Sequence, residues 1–191
     1  GDFIDVPTFH ANGTVINISL TTIKVRNADM TYSHIPTYKV LDTAFINWRG
    51  MNESESRRIK RAITLDQTSI QGWDGSLLHR MVRNPLLANF ATSLETKQRH
   101  QSLTNSAIFR QYVEYHLRER EDLFHEGKTL IVRLLAPDQN GMPLEIIAFT
   151  RTTDWNAYEN IQSEIFEHIL AVIGSFGLKI SQPFVLSRPE N

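Results

Sequence analysis

The sequence predicts an α+β protein in which a small, bent, five-stranded β domain comes first and a larger α/β domain with an enlarged helical first crossover follows. Three observations predict it. Residues 13–36 alternate at the two-residue period of strands and are rich in β-branched side chains. Residues 154–177 carry apolar side chains at helical intervals, and Asn140-Gly141 stands between two apolar runs as a hairpin turn.

Residues 1–6 predict a first strand, ended by Pro7, which has no N–H to give to a ladder. His10-Ala11-Asn12-Gly13 predicts a turn. Val15, Asn17 and Ser19 then share one parity and Ile16, Ile18 and Leu20 the other, with Ile23 and Val25 continuing the alternation. Breaks are expected at Leu20-Thr21 and at Asn27-Ala28-Asp29, where Asn and Asp tolerate a tight reversal, so three short strands fit before Pro36. Tyr38-Lys39-Val40-Leu41 has the length of one helical turn, and Phe45-Ile46-Asn47-Trp48 reads as a fifth strand. Gly50, Asn52, Ser54 and Ser56 mark a polar connector, which bounds a first domain at residues 1–52. So small a sheet buries little area and leaves two edges without partners. Both needs are met if copies pair edge to edge in a ring.

The second domain is expected at residues 57–180. In 57–65, Ile59, Ile63 and Leu65 share a parity with Arg57 and Arg61, so the basic cluster is divided between two faces of a strand. A helical insert spans about 71–126, with Asn84-Pro85 as cap and first-turn proline and Phe90 and Leu94 at helical spacing. Its second helix starts near Thr104 or Asn105 and carries Phe109, Tyr112, Val113 and His116 on one side. A hairpin follows, with strands at 129–136 and 144–152 and the turn Asp138-Gln139-Asn140-Gly141. In the last helix Tyr158, Ile161, Ile165, Ile169, Val172 and Phe176 recur at helical intervals, Asp154 or Thr153 caps the start and Gly177 ends it. It should run about 22 residues, or roughly 33 Å. Leu178-Lys179-Ile180 predicts a closing strand, giving the order β, helices, β, β, helix, β of a ferredoxin-like layer. The tail, 181–191, is read as frayed or as a strand with partners in other subunits.

With 41% hydrophobic and 21% charged residues among 191, the chain is globular, and a formal net charge of −1 gives no global attraction to nucleic acid or anionic membrane. The absence of cysteine excludes disulfides, thiolate nucleophiles and Cys-ligated zinc. The longest apolar run, 169–173, is far below the ~18 to 20 residues that span a bilayer.

Motifs of chemistry are spelled incompletely. His125-Glu126-Gly127-Lys128-Thr129 ends like a phosphate loop, but Asp122 stands where the first glycine belongs and a strand, not a helix, is expected next. Among His10, His34, His79, His100, His116, His125 and His168, no pair has the helical spacing with a glutamate that a zinc protease uses. His116 and His168 lie beside apolar helical stripes and read as structural. Gly72-Trp73-Asp74-Gly75-Ser76 places its serine after the second glycine, so it is no nucleophile elbow. Glu119, Glu121 and Asp122 alternate with Arg118 and Arg120 as a solvated face. No catalytic, cofactor-binding or metal-binding residue is assigned, and no enzyme activity is expected.

A resemblance adds to this reading. Gly1-Asp2-Phe3-Ile4-Asp5-Val6, Gly13-Thr14-Val15, Thr21-Thr22-Ile23-Lys24-Val25-Arg26-Asn27-Ala28-Asp29 and Ile35-Pro36, in this order, resemble the Sm-like β domain of the small-conductance mechanosensitive ion channel family. Asn47-Trp48-Arg49-Gly50-Met51, Glu53-Ser54 and Arg57-Arg58-Ile59-Lys60-Arg61 are similar to its miniconductance-like branch. Leu135-Ala136-Pro137, Pro143-Leu144-Glu145 and Ala148-Phe149-Thr150 resemble the family's second domain. Thr37 departs from the family's usual Ile-Pro-Asn, and residues 71–101 do not follow its pattern.

The resemblance implies the cytosolic part of a channel in the bacterial inner membrane, with membrane helices before Gly1 that open under tension to release ions and solutes on osmotic downshift. It implies a homo-oligomeric ring of seven that ions cross as a vestibule, with no nucleic acid bound. Two alternatives stand beside it. One is an Sm-like RNA-binding ring drawing on Arg49, Arg57, Arg58, Lys60 and Arg61, which RNA affinity with a steep salt dependence would reveal. The other is a ferredoxin-like small-molecule-sensing domain, which a ligand-induced thermal shift would reveal.

Overall fold

The computed structural model describes residues 1–73, 75–95 and 104–182. The chain divides into two compact units, Gly1–Ser56 and Arg57–Asn191. The fold is α+β, a β unit followed by an α/β unit.

The first unit holds strands β1 (Phe3–Val6), β2 (Ala11–Ile18), β3 (Thr22–Asn27), β4 (Tyr32–Pro36) and β5 (Ile46–Asn47). They form one antiparallel sheet in the order β4-β3-β2-β1-β5. The turn expected at His10-Ala11-Asn12-Gly13 falls earlier. Pro7–Phe9 winds as a 3-10 turn with its proline at the start, His10 closes it at φ 49°, and β2 already begins at Ala11, opposite Val6. The alternation expected through 15–20 is also broken. Val15 pairs with Val25 and Asn17 with Lys24, so Ile16 is the extra residue of a β-bulge, which bends the strand. Gly13 permits the close approach of β2 to β3, since a Cβ there would stand 1.9 Å from the Arg26 carbonyl oxygen.

Two further expectations change at the end of this unit. The fifth strand keeps only Ile46 and Asn47, and the polar connector begins as a helix, α1 (Arg49–Glu53). The Asn47 side-chain oxygen accepts a hydrogen bond from the Arg49 N–H at 2.9 Å, ending β5 and starting α1. The unit's core is five buried side chains, Ile4, Val6, Ala11, Val25 and Ile35, with Phe9, Val15, Ile23 and Val40 packed around them.

The second unit holds β6 (Arg57–Leu65), α2 (Gly75–Val82), α3 (Ala88–Glu95), α4 (Asn105–Arg118), β7 (Ile131–Leu134), β8 (Met142–Thr150) and α5 (Trp155–Val172). The sheet order is β6-β8-β7, all antiparallel, with β8 paired along its whole length to β6. Ile59, Ile63, Leu65, Val132, Leu144, Ile146 and Ala148 fill one face and join the core made by the helices. The Thr104 side chain caps α4, accepting from the Ala107 N–H, and Asp154 caps α5 in the same way. α5 continues as a 3-10 turn, Ile173–Phe176, and Gly177 closes it in the left-handed region at φ 70°.

Three boundaries differ from expectation. The helix expected from Pro85 begins at Ala88, because the Asn84 side chain draws in the Leu86 N–H and a turn intervenes. The first hairpin strand is shorter, Ile131–Leu134, while the second keeps nine residues but begins earlier, at Met142, directly after the turn in which the Asp138 and Gly141 backbones pair. The closing strand at 178–180 is reduced to one bridge, Leu65 to Ile180, flanked by the bonds Asp66 N to Lys179 O and Ser181 N to Thr64 O. Leu65 is the last residue of β6, so the segment meets that strand where its ladder runs out. The part of the insert at 96–103 and the tail from 183 lie outside the described residues.

Candidate functional site

The β unit leaves its apolar surface incomplete. The bend of β2 and β3 and the 3-10 turn Thr37–Leu41 enclose a hollow of about 370 Å³. Ile4, Val6, Val15, Ile23, Ile35 and Val40 form its floor. At its rim Arg49 pairs with Asp2 at 3.1 Å, and the Asn47 amide donates to the same carboxylate at 2.9 Å. In the same unit Leu20 is 95% exposed, Leu41 88% and Ile18, which lines the hollow, 67%. Ile16, Met30, Tyr32, Tyr38, Phe45, Ile46 and Trp48 are exposed as well, giving this unit of 56 residues ten of the sixteen exposed large apolar side chains among the described residues. Single exposed apolar residues are ordinary, whereas a concentration of this kind marks an interaction surface. The sheet's edges, β4 and β5, each pair with a strand on one side only among the described residues, which leaves backbone groups there without strand partners.

The reversal between β3 and β4 is fixed by polar bonds. Asp29 accepts from the Thr31 N–H at 3.0 Å and from its hydroxyl at 2.6 Å, and these bonds hold the Asp29 carboxyl below the usual carboxylate range. The Asn27 amide donates to Thr31 and Ser33.

The basic residues are largely engaged. Arg49 is ion-paired, Lys60 lies 3.8 Å from Glu145 and Arg61 lies 3.7 Å from Glu159. The Arg57 guanidinium sits over the rings of Trp155 and Tyr158. Division of the cluster between faces holds, because Ile59 and Ile63 are buried while Arg58 and Lys60 face outward.

Other clusters were not legible in the sequence. Glu145, 7% exposed, is gripped by Arg133 at 2.6 Å and by Lys60, an arrangement that depends on β8 lying between β6 and β7. Arg120 reaches Asp122 at 2.6 Å and Glu164 on α5 at 2.8 Å, and its hydrogen bond to Asp122 raises its pKa. Only the acidic and basic alternation at 118–122 hinted at that. His116 and His168, read as structural, lie against each other between α4 and α5.

The segment His125-Glu126-Gly127-Lys128-Thr129 runs as a loop into β7 with no helix after it, so its spelling builds no phosphate cradle. No group of three or more potential ligands gathers to hold a metal ion among the described residues, and no helix there is long and apolar enough to cross a membrane.

Comparison with known proteins follows the same division. A family model of the mechanosensitive ion channel β-domain matches residues 1–50. MSL1 of Arabidopsis thaliana, solved by cryo-EM, superposes with a TM-score of 0.65 at 16% identity, covering 95% of this chain and 52% of that one. The closed state of MscS from Helicobacter pylori, a crystal structure, superposes with a TM-score of 0.58 at 15% identity, covering 100% of this chain and 58% of that one. The chain therefore spans about half the length of the structures it matches. At these identities the structural likeness establishes the shared fold, and the match to the family model is confined to the β unit. Residues 1–50 are thus similar to the β-domain of mechanosensitive ion channels, and the chain shares its fold with MSL1 and MscS.

Proposed function

We propose that this chain is the cytosolic vestibule part of a mechanosensitive ion channel, joined to membrane-spanning helices that open under tension and release ions and solutes on osmotic downshift. In this reading the Sm-like β domains of neighbouring copies close into a ring, of seven in the full channel, beneath a pore in the bacterial inner membrane. One observation carries it. The β unit has a core of five side chains and ten large exposed apolar ones, so a second copy is what would cover the surplus. Edge strands at both ends of its sheet supply backbone groups for the same contact.

Engagement of Arg49, Lys60 and Arg61 in ion pairs, and of Arg57 over aromatic rings, favours this reading over an RNA-binding ring. Cations already committed neutralise fewer phosphates, and phosphate contacts supply most nonspecific affinity.

The test is to express the full-length protein in cells lacking their own tension-gated channels and record from excised patches. Tension-activated currents and survival of osmotic downshift are expected, with a seven-fold ring in particles imaged from membranes. A monomer with no tension-dependent current would overturn the reading.

A further inference from the structure

α4 and α5 meet at a pair of stacked imidazoles. The His116 and His168 rings lie 3.9 Å apart between centroids and 6° from parallel. Tyr112, one helical turn before His116, stacks on both, and its hydroxyl oxygen is hydrogen-bonded to Nε2 of His168 at 2.5 Å. The same hydroxyl donates toward the Leu86 carbonyl at 3.3 Å, and Phe90 of α3 meets the Tyr112 ring edge-on.

The two imidazoles are unequal as proton acceptors. A proton on Nε2 of His168 can be donated to the Tyr112 oxygen while the tyrosine's own proton turns to the Leu86 carbonyl, so every donor keeps a partner. His116 has no such outlet. Its Nε2 is buried and has no hydrogen-bond partner among the described residues. A charge there is desolvated and unpaired, the costliest state for a buried polar group.

The charged and titratable surroundings are few. Arg120, just beyond α4, opposes a positive charge on both rings, while Asp122 favours one on His116 more weakly. Arg120 is itself held by Asp122 and by Glu164 of α5. Tyr115 lies beside Tyr112 on α4, and burial pushes the Tyr112 hydroxyl up to about 12, so Tyr112 stays neutral in the working range. From α3 the cluster receives the Phe90 ring.

We propose that the His116–His168 stack is an acid-operated latch between α4 and α5, closed while both rings are neutral and sprung when His116 takes up a proton. The latch goes beyond the channel reading and does not depend on it. Burial, followed by the charge of His168 and of Arg120, pulls the His116 imidazole down to about 4. His168 is lowered as well, by burial and then by Arg120. Packed His116 therefore binds fewer protons than an opened one, whose value is about 6.5. The latch is fully closed above that value, and opening becomes easier as pH falls toward 4. Over most of that window His116 alone multiplies the opening equilibrium by about five to eight per pH unit.

Side-chain NMR of the full chain, following each imidazole through pH, tests this together with hydrogen exchange of α4 and α5 corrected for its intrinsic pH dependence. His116 is expected to titrate near 4, and the opening of α4 and α5 to rise about 40-fold from pH 6.5 to 4.5. His116→Phe, which keeps a ring in the stack and removes the proton site, should rise no more than about threefold, leaving room for His168. An ordinary His116 titration near 6.5 overturns the latch, and so does the full rise surviving in His116→Phe. If that rise disappears instead in His125→Phe, the other buried unpartnered imidazole is responsible and the latch is likewise overturned. Should His116→Phe fail to fold, the titration of the unmodified protein decides alone.

Discussion

The guanidinium of Arg57 lies over the indole of Trp155, its Cζ 4.0 Å from the ring centroid, and reaches the Tyr158 ring at 4.7 Å. The first residue of β6 is thereby fastened to the first turn of α5. A half-buried cation over two rings is worth about 1 kcal/mol. A double-mutant cycle of Arg57→Ala and Trp155→Ala, read as urea midpoints, should show a coupling of about that size. Additive losses would show that the stacking contributes nothing.

Gly13→Ala should cost about 3 kcal/mol or more, because the added methyl would run into the backbone of β3. The Arg26 carbonyl oxygen is 1.9 Å from its position and the Asn27 Cα 2.6 Å, and neither can swing aside as a side-chain end would. With five side chains in its core, the β unit has little stability to lose. Hydrogen exchange should show β2 and β3 unprotected in the variant while β6 and β8 keep their protection.

Glu145→Gln should destabilise the α/β unit by about 1–2 kcal/mol. The change leaves Arg133 and Lys60 facing each other, although each keeps about half its side chain in water, which moderates the penalty. Joint replacement of Glu145 and Arg133 by leucine should recover most of the loss, since it removes the carboxylate together with the cation that would otherwise be left facing Lys60. Equilibrium denaturation of the three variants measures the difference.

Leu20→Asp tests what covers the β unit. The side chain is 95% exposed, so the fold of a single copy should change by less than about 0.5 kcal/mol. If another copy covers Leu20, the charge is buried on assembly, and the full-length protein should lose its oligomer in light scattering while its melting temperature as a single copy is unchanged. An unaltered oligomer would place Leu20 outside the contact.

The elements legible in the sequence are those whose signals are local. Thr104 and Asp154 name helix starts because a cap acts within three residues, and the stripe from Tyr158 to Phe176 names one face because helical period is a property of the segment itself. Asn140-Gly141 names the hairpin for the same reason. The misses are places where distant backbone decides. The Ile16 bulge depends on how β3 aligns, and the shortening of the closing strand depends on where β6 ends. The histidine pair was seen one residue at a time. Tyr112 and His168 are 56 residues apart, and nothing local says that α4 and α5 will bring their rings together.

The tightened end of α5 has a consequence for tolerance to insertion. A 3-10 turn advances about 120° and 2 Å per residue against about 100° and 1.5 Å for an α-helix, so four such residues swing a side chain about 80° further round and carry it about 2 Å further along. That extra twist delivers Phe176 onto Phe109 and Tyr112, with ring centroids 5.0 and 5.4 Å away. Ile173–Phe176 thus works as a vernier, a fine adjustment that whole helical turns cannot provide. One residue added or deleted upstream would overrun its range, and the aromatic trio would lose its capstone.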